Sequence, residues 1–570
     1  MSPTALLPRL LALIMVACAA LPARADDRPF SERVDLSPLE TIAVQTDGRI
    51  KSLSSLAAET MSFVSGPRRI AGQEPLFTYL DMLFRPDVYR DPDVIFVKKA
   101  ARDRIADAVL RGPLLADTAE RMEAFRASGL ISEKMLNREE VLKVLQEMQG
   151  DLIRTAKIVD AIDGALRVKD PRFLLSKLRV VPRGDGDQTK PWHGIGAVMF
   201  ADGKEPVPGA MQLLAEKRDP PGDVPEAART AIADSWKTLV NGWIRGDAAA
   251  VSAAAKSLAD ALAAVDPANY PDKTRLSWEH WYFANDHMTR VWLVYMAASI
   301  LLLLAFVWKW PRARTAGFAV FAIAVALHTA AVLLRWYISG RWPNSNMFEA
   351  VTTSAWFGVL GAIAIEWLVR RTPMLGLFAL GGAVSAMVAL MAAHFLPVQL
   401  NPAIGNMMPV LHDVWLYIHT NVIIFSYVLI FMGAVSGALY LGHRAFGGAP
   451  AFARVGGAGS LILAGPRAGL GEVLDGVTMV LMEVSFVLLW AGIVMGAIWA
   501  DHSWGRPWGW DPKEVFALNT FIVFAVLVHV RLKAKDKGLW TAWLSVIGAL
   551  VMLFNWIVIN FVITGLHGYA

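Results

Sequence analysis

Eight apolar runs, each of a length that can cross a lipid bilayer, crowd the second half of this chain at roughly 291–308, 315–334, 351–369, 374–395, 416–441, 474–499, 515–530 and 539–563. A hydrocarbon layer of about 30 Å takes about 20 apolar residues wound as an α-helix, and a helix satisfies its own backbone polar groups where no water can. The expected fold class is therefore an all-α polytopic membrane protein of about eight transmembrane helices. The seventh run is short and is expected to extend into the loop before it. Composition agrees, since 55% of residues are hydrophobic and only 18% charged, which is too apolar for an ordinary soluble enzyme. That average hides a split, because charge and Pro/Gly-rich turns fill residues 26–285.

The first 25 residues read as a signal peptide, with Arg9, an apolar stretch at 10–21 and Ala23-Arg24-Ala25 as an A-x-A cleavage site. Lipoprotein-type cleavage before Cys18 is the alternative. Cys18 is the sole cysteine, so the mature chain is expected to carry no thiol, which excludes disulfide and Cys-metal chemistry. Residues 26–285 are expected to form a mainly helical exported domain. Apolar residues recur at helical spacing over 94–110, 138–166 and 225–265, and breakers at 182–187 and 219–222 divide the segments. His193 reads as a loop or core histidine. The net charge of +5, with no basic run interleaved with aromatics, gives no sign of nucleic acid.

An exported amino terminus sends the first span inward. The inner loops 309–314, 370–373, 442–473 and 531–538 then hold twelve Lys and Arg, against four in the outer loops 335–350, 396–415, 500–514 and 564–570. This bias follows the positive-inside rule and supports eight spans in a bacterial inner membrane, with the first domain in the periplasm.

The outer loop at 499–514 is the most unusual segment, with Trp499, Trp504, Trp508 and Trp510 inside twelve residues. Tryptophan gathers at membrane interfaces, but that does not account for Gly505, Pro507 and Gly509 set between the indoles, or for the acids and bases beside them. Flat indoles on a stiff turn suit a large planar ligand, and Arg506 and Lys513 could meet its carboxylates.

Gly496-Ala497-Ile498-Trp499-Ala500, followed by Trp504-Gly-x-x-Trp508-Gly-Trp510-Asp511-Pro512-Lys513-Glu514, resembles the tryptophan-rich (WWD) signature of the CcsA family of cytochrome c assembly proteins. Further matches are Arg335-Trp336-Tyr337-Ile338-Ser339-Gly340 with Asn346-Met347-Phe348-Glu349, Pro409-Val410-Leu411 with Trp415-Leu416-x-x-His419, and Gly565-Leu566-His567-Gly568-Tyr569. Arg506-Pro507 and Val515-Phe516 depart from the family pattern. The resemblance covers about 285–570, a transmembrane domain spanning 286–570. It implies a protein that binds haem b and presents it outside the membrane to apocytochrome c, with a separate CcsB-type partner and with thiol-reducing proteins as further possible partners.

The same resemblance makes His419 and His567 the axial ligands of an outer haem, with Trp504, Trp508, Trp510 and Asp511 around it. It places His529 at an inner haem site shared with the partner. His328 is a candidate for the missing inner histidine, but at 1.5 Å per residue it lies roughly 20 Å from the inner end of its span, and a hydrogen bond between helices is an equal reading. His502, His412, His394, His443, His280 and His287 receive no ligand role. Glu366 and Glu483, near inner span ends, read as snorkelling to water. Asp511 and Glu514 either order the loop or move protons.

The implied reaction is addition of two apocytochrome thiols across the haem vinyl groups. Two rivals stay open at this point: a haem transporter or chaperone without synthase activity, and a quinone-linked membrane cytochrome b.

Overall fold

The computed structural model describes residues 28–46, 48–66, 69–112, 117–151, 155–187, 190–199, 221–371, 374–405, 413–453 and 469–561. His567, His412 and the expected leader at 1–25 lie outside them. Two compact units divide the chain, Met1–Leu276 and Ser277–Ala570.

The first unit is helical with two small antiparallel hairpins. Strand β1 (Ala43–Thr46) pairs with β2 (Arg49–Ser52), and β3 (Ile95–Phe96) with β4 (Leu130–Ile131). The long periodic stretches break where backbone chemistry requires it. Helix Glu226–Arg245 stops at Gly246, whose left-handed conformation a side chain would resist, and Asp247 caps the next helix, Ala248–Ala263, by accepting from the Ala250 amide at 3.0 Å. At the core Trp243 packs against Phe30, Phe77 and Phe84 with ring centroids 4.9–5.5 Å apart. Its indole N–H donates to Asp81 at 2.7 Å, and the same carboxylate takes the Tyr89 hydroxyl at 2.7 Å and the Arg85 Nε at 2.6 Å. A carboxylate this buried persists because both its oxygens are hydrogen-bonded. Burial, then the adjacent Asp81 charge, push the Tyr89 phenol up. His193 contacts Asp223 through Nε2 at 2.9 Å, as a structural hydrogen bond inside this unit.

The second unit is the membrane bundle, in which eight helices among the described residues are long and apolar enough to cross a bilayer. In order they are α1 (Trp292–Val307), α2 (Pro311–Ser339), α3 (Met347–Val369), α4 (Leu377–Phe395), α5 (Val414–Ala445), α6 (Leu470–Trp504), α7 (Pro512–Lys533) and α8 (Lys537–Phe561). The chain is an all-α multi-pass membrane protein, and α7 does begin earlier than its apolar run. With lipid no less apolar than the helices, association relies on close packing at small residues. A Cβ on Gly361 of α3 would stand 2.7 Å from the Phe425 ring of α5. On α8, Trp540, Trp543, Ile547, Leu550, Phe554 and Ile557 are exposed at alternating spacings of three and four, one face turned outward.

Several carboxylates inside the bundle are paired. Glu366 is not directed to water as expected. It is 8% exposed and accepts from the Ala379 amide at 2.9 Å and from the Gly376 amide, so it caps the start of α4. Asp475 of α6 and Arg531 of α7 form a bidentate pair at 2.6 and 2.7 Å.

Candidate functional site

A cavity of about 270 Å³ opens at the end of the bundle where α5 and α7 begin and α6 and α8 finish. His419, Ile423 and Tyr427 of α5 form one wall, Ile493, Gly496 and Trp499 of α6 another, and the segment 344–347 leading into α3 a third. Trp508, Lys513 and Glu514 close it on the loop side, and Asn555 and Trp556 on the α8 side. A mostly apolar hollow with a few converging polar groups is the usual form of a small-molecule site.

His419 is the key side chain. Its Nδ1 lies 2.7 Å from the Gly492 carbonyl oxygen. A carbonyl only accepts, so Nδ1 is the donor, and in the neutral tautomer that keeps this bond Nε2 is the nitrogen a metal would take. Among the described residues no three His, Cys, Asp or Glu side chains converge as a metal site. A single imidazole beside an apolar hollow suits an ion that brings its own equatorial ligands.

The Trp loop is shorter than its sequence implies. Helix α6 runs on through Trp504 and stops at Gly505, at φ +69, so the first six residues of the 499–514 segment are helical. Asp511 then starts α7 as its N-cap, with Pro512 in the first turn and Glu514 completing a capping box. The Glu514 carboxylate also takes the Gly509 amide at 2.8 Å and the Asp511 amide at 3.1 Å. These two bonds straddle Trp510 and hold it at φ +57, a left-handed conformation that costs a non-glycine residue about 1–2 kcal/mol. The two acids therefore order the loop. Asp511 is 5% exposed and stands behind the cavity wall, not in it.

Of the four indoles at 499–510, Trp499 and Trp508 line the cavity. Trp504 packs edge-on against Trp499 at 4.9 Å, while Trp510 meets Trp508 at 5.9 Å and is 71% exposed. Trp508→Ala is thus expected to impair ligand retention more than Trp510→Ala, and both more than Trp292→Ala at the start of α1. Absorbance of ligand copurified with each variant checks this order, and equal losses would mean that the indoles act only as an interfacial belt.

The third wall is fixed by a buried ion network. Glu349 takes Arg335 Nε at 3.0 Å and Nη2 at 2.9 Å on one oxygen, and Arg341 Nη1 at 2.9 Å and the Ser345 amide at 2.8 Å on the other. Arg335 also donates to the Pro402 carbonyl at 3.0 Å, and Asn346 to Ala403 at 2.9 Å. Segment 340–347 is thereby tied to segment 400–405.

The other histidines are placed elsewhere. His328 is buried with Nδ1 3.2 Å from the Tyr295 hydroxyl and Nε2 3.1 Å from the Thr352 carbonyl. Both nitrogens are engaged between helices, and it lines neither the cavity nor the depression at His529. His529 is exposed near the far end of α7, its Nδ1 2.6 Å from the Ala525 carbonyl, in an open depression with Lys533 and Trp540. His502 stands 3.5 Å from Asp413, and His394 bonds Thr289. Asn555, Tyr427 and Gly496 were missed as site residues. Gly496 alone stood inside a motif that could have marked it.

Fold and site together define a multi-pass membrane protein with an apolar, histidine-bearing small-molecule cavity at one end of its bundle. Residues 344–567 match the family model described as cytochrome c assembly protein. The cytochrome c biogenesis protein CcsA of Parasynechococcus marenigrum (strain WH8102) is 34% identical over 290 residues, 48% of this chain and 94% of the relative. That of Porphyra purpurea is 30% identical over 278 residues, 44% of this chain and 84% of the relative. The chain belongs to the CcsA family of cytochrome c assembly proteins, and its role lies in cytochrome c maturation.

Proposed function

We propose that the cavity beside the Trp loop holds haem b and presents it at the outer face of the bacterial inner membrane for covalent attachment to apocytochrome c. The observation that carries this reading is His419, an imidazole in the wall of an apolar hollow with Nδ1 tied to a backbone carbonyl. The donor set fits haem: His419 Nε2 for the iron, the Trp508 face for the macrocycle, and Lys513 for a propionate. By family resemblance His567 is the opposite axial ligand.

Haem is substrate here. Each apocytochrome cysteine adds S–H across a vinyl group, sulfur to one carbon and hydrogen to the other. The chain's own contribution is to hold the ring still, exclude rival ligands and leave the vinyl edge reachable. Trp510, exposed beside Trp508, meets the incoming polypeptide in this reading. On the far side His529 offers half of an inner site, to be completed by a CcsB-type partner. His328 serves the bundle, not haem.

Reconstitution of the purified chain with haem and an apocytochrome, with and without the partner, tests this reading. Thioether-linked product is the expected result, and bound haem that never becomes linked would make the chain a carrier.

The reading also fixes topology. In a Cys18→Ser background, Ser503→Cys is expected to react with a membrane-impermeant maleimide in intact spheroplasts, and Ala534→Cys only after lysis. Reaction at position 534 before lysis would overturn the outer placement of the cavity.

A further inference from the structure

We propose that Gly492 and Gly496 are positioning residues for His419, which set its tautomer and its strength as a ligand through one backbone hydrogen bond. This inference rests on the reading of His419 as a haem ligand.

Two residues one turn apart on α5, His419 and Ile423, face two glycines one turn apart on α6. A Cβ on Gly496 would stand 2.6 Å from His419 Cε1 and 2.8 Å from its Nδ1, and a Cβ on Gly492 would stand 2.5 Å from Ile423 Cδ1. Each absent side chain therefore leaves a slot filled by one residue of α5, and the imidazole occupies the slot at 496. The bond it makes there runs to the carbonyl of residue 492, one turn back. In an α-helix that carbonyl already faces the amide of residue 496, but its oxygen has a second lone pair. A side chain at 496 would occupy the place of the ring, so the second lone pair is within reach of Nδ1 only because position 496 has none.

Two consequences follow for a bound iron. The bond favours the tautomer with its proton on Nδ1, which leaves Nε2 as the ligating nitrogen. The carbonyl also draws on the N–H bond and makes the imidazole a stronger donor, as outer-shell acceptors do for metal-bound histidines. A stronger axial donor favours ferric iron and lowers the reduction potential. The simpler account of the pair is a G-x-x-x-G packing seam. It accounts for close approach but assigns no asymmetry between the two glycines, whereas the structure places the ring against Gly496 and an aliphatic chain against Gly492.

The test uses the full chain purified with haem. In a His419→Gly variant, added imidazole and 1-methylimidazole both fit an axial position, but only imidazole retains an N–H for the Gly492 carbonyl. Imidazole is expected to restore the low-spin spectrum and the parent potential. 1-Methylimidazole is expected to restore the spectrum at a higher potential, beyond the difference the same two ligands produce on haem in free solution. Gly496→Ala is expected to weaken the low-spin signature, and Gly492→Ala, whose methyl meets Ile423, to leave it largely in place. No excess shift between the two imidazoles overturns the proposal, and so do equal spectral losses in the two glycine variants. If Gly496→Ala fails to fold, the ligand pair in His419→Gly still decides. A His419→Gly protein with an unaltered spectrum instead overturns the ligand reading beneath it.

Discussion

His419→Ala is expected to lose haem from the purified protein and to abolish c-type cytochrome formation. The substitution removes the one imidazole that lines the cavity among the described residues and leaves the slot over Gly496 empty. Changes to groups that merely orient a metal ligand cost about 10–100-fold in affinity, so loss of the ligand itself is expected to cost at least about 100-fold. Added imidazole can enter the vacated slot, donate to the Gly492 carbonyl and restore part of both activities. Absorption spectra of the purified variant and covalent-haem staining of membranes measure the two effects. A wild-type spectrum with full cytochrome maturation would show that the cavity histidine is not a haem ligand.

Much of this fold could be read in the residues, because span length and apolarity are local properties. Helix ends were less legible, for two reasons seen at the Trp loop. Asp501, His502 and Ser503 are polar yet helical, since only the left-handed Gly505 ends α6. Asp511-Pro512-Lys513-Glu514, by contrast, spells a capping box that the letters alone could have disclosed. The division between Trp508 and Trp510 depends on a backbone angle imposed by the two Glu514 hydrogen bonds, and no pattern of indoles encodes it. His328 shows the same limit: its depth in the span could be counted, but its partners Tyr295 and Thr352 come from other helices, 33 and 24 residues away in sequence. The first unit was read as helical by its periodicity, while its hairpins of two to four residues are too short to register against that background.

The second large effect concerns a residue that touches no ligand. Glu349→Ala is expected to destabilise the bundle by about 3–5 kcal/mol, the usual consequence of stranding a buried charge by removing its partner. Here Arg335 is 2% exposed and Arg341 is held against the same carboxylate, so one substitution unpairs both. Thermal unfolding in detergent is the measurement, and an unchanged midpoint would mean that water or lipid headgroups already neutralise the arginines. Arg335→Met with Glu349→Leu separates stability from function, because replacing a buried pair by apolar residues of similar volume is often neutral or stabilising. That double variant is expected to recover most of the unfolding midpoint. It also removes the acceptor that holds the Ser345 amide and Arg341, so the wall at 344–347 is released while the helices stay packed. Haem retention should therefore remain depressed in a protein that is folded. Recovery of both properties together would mean that the network stabilises the bundle without shaping the cavity.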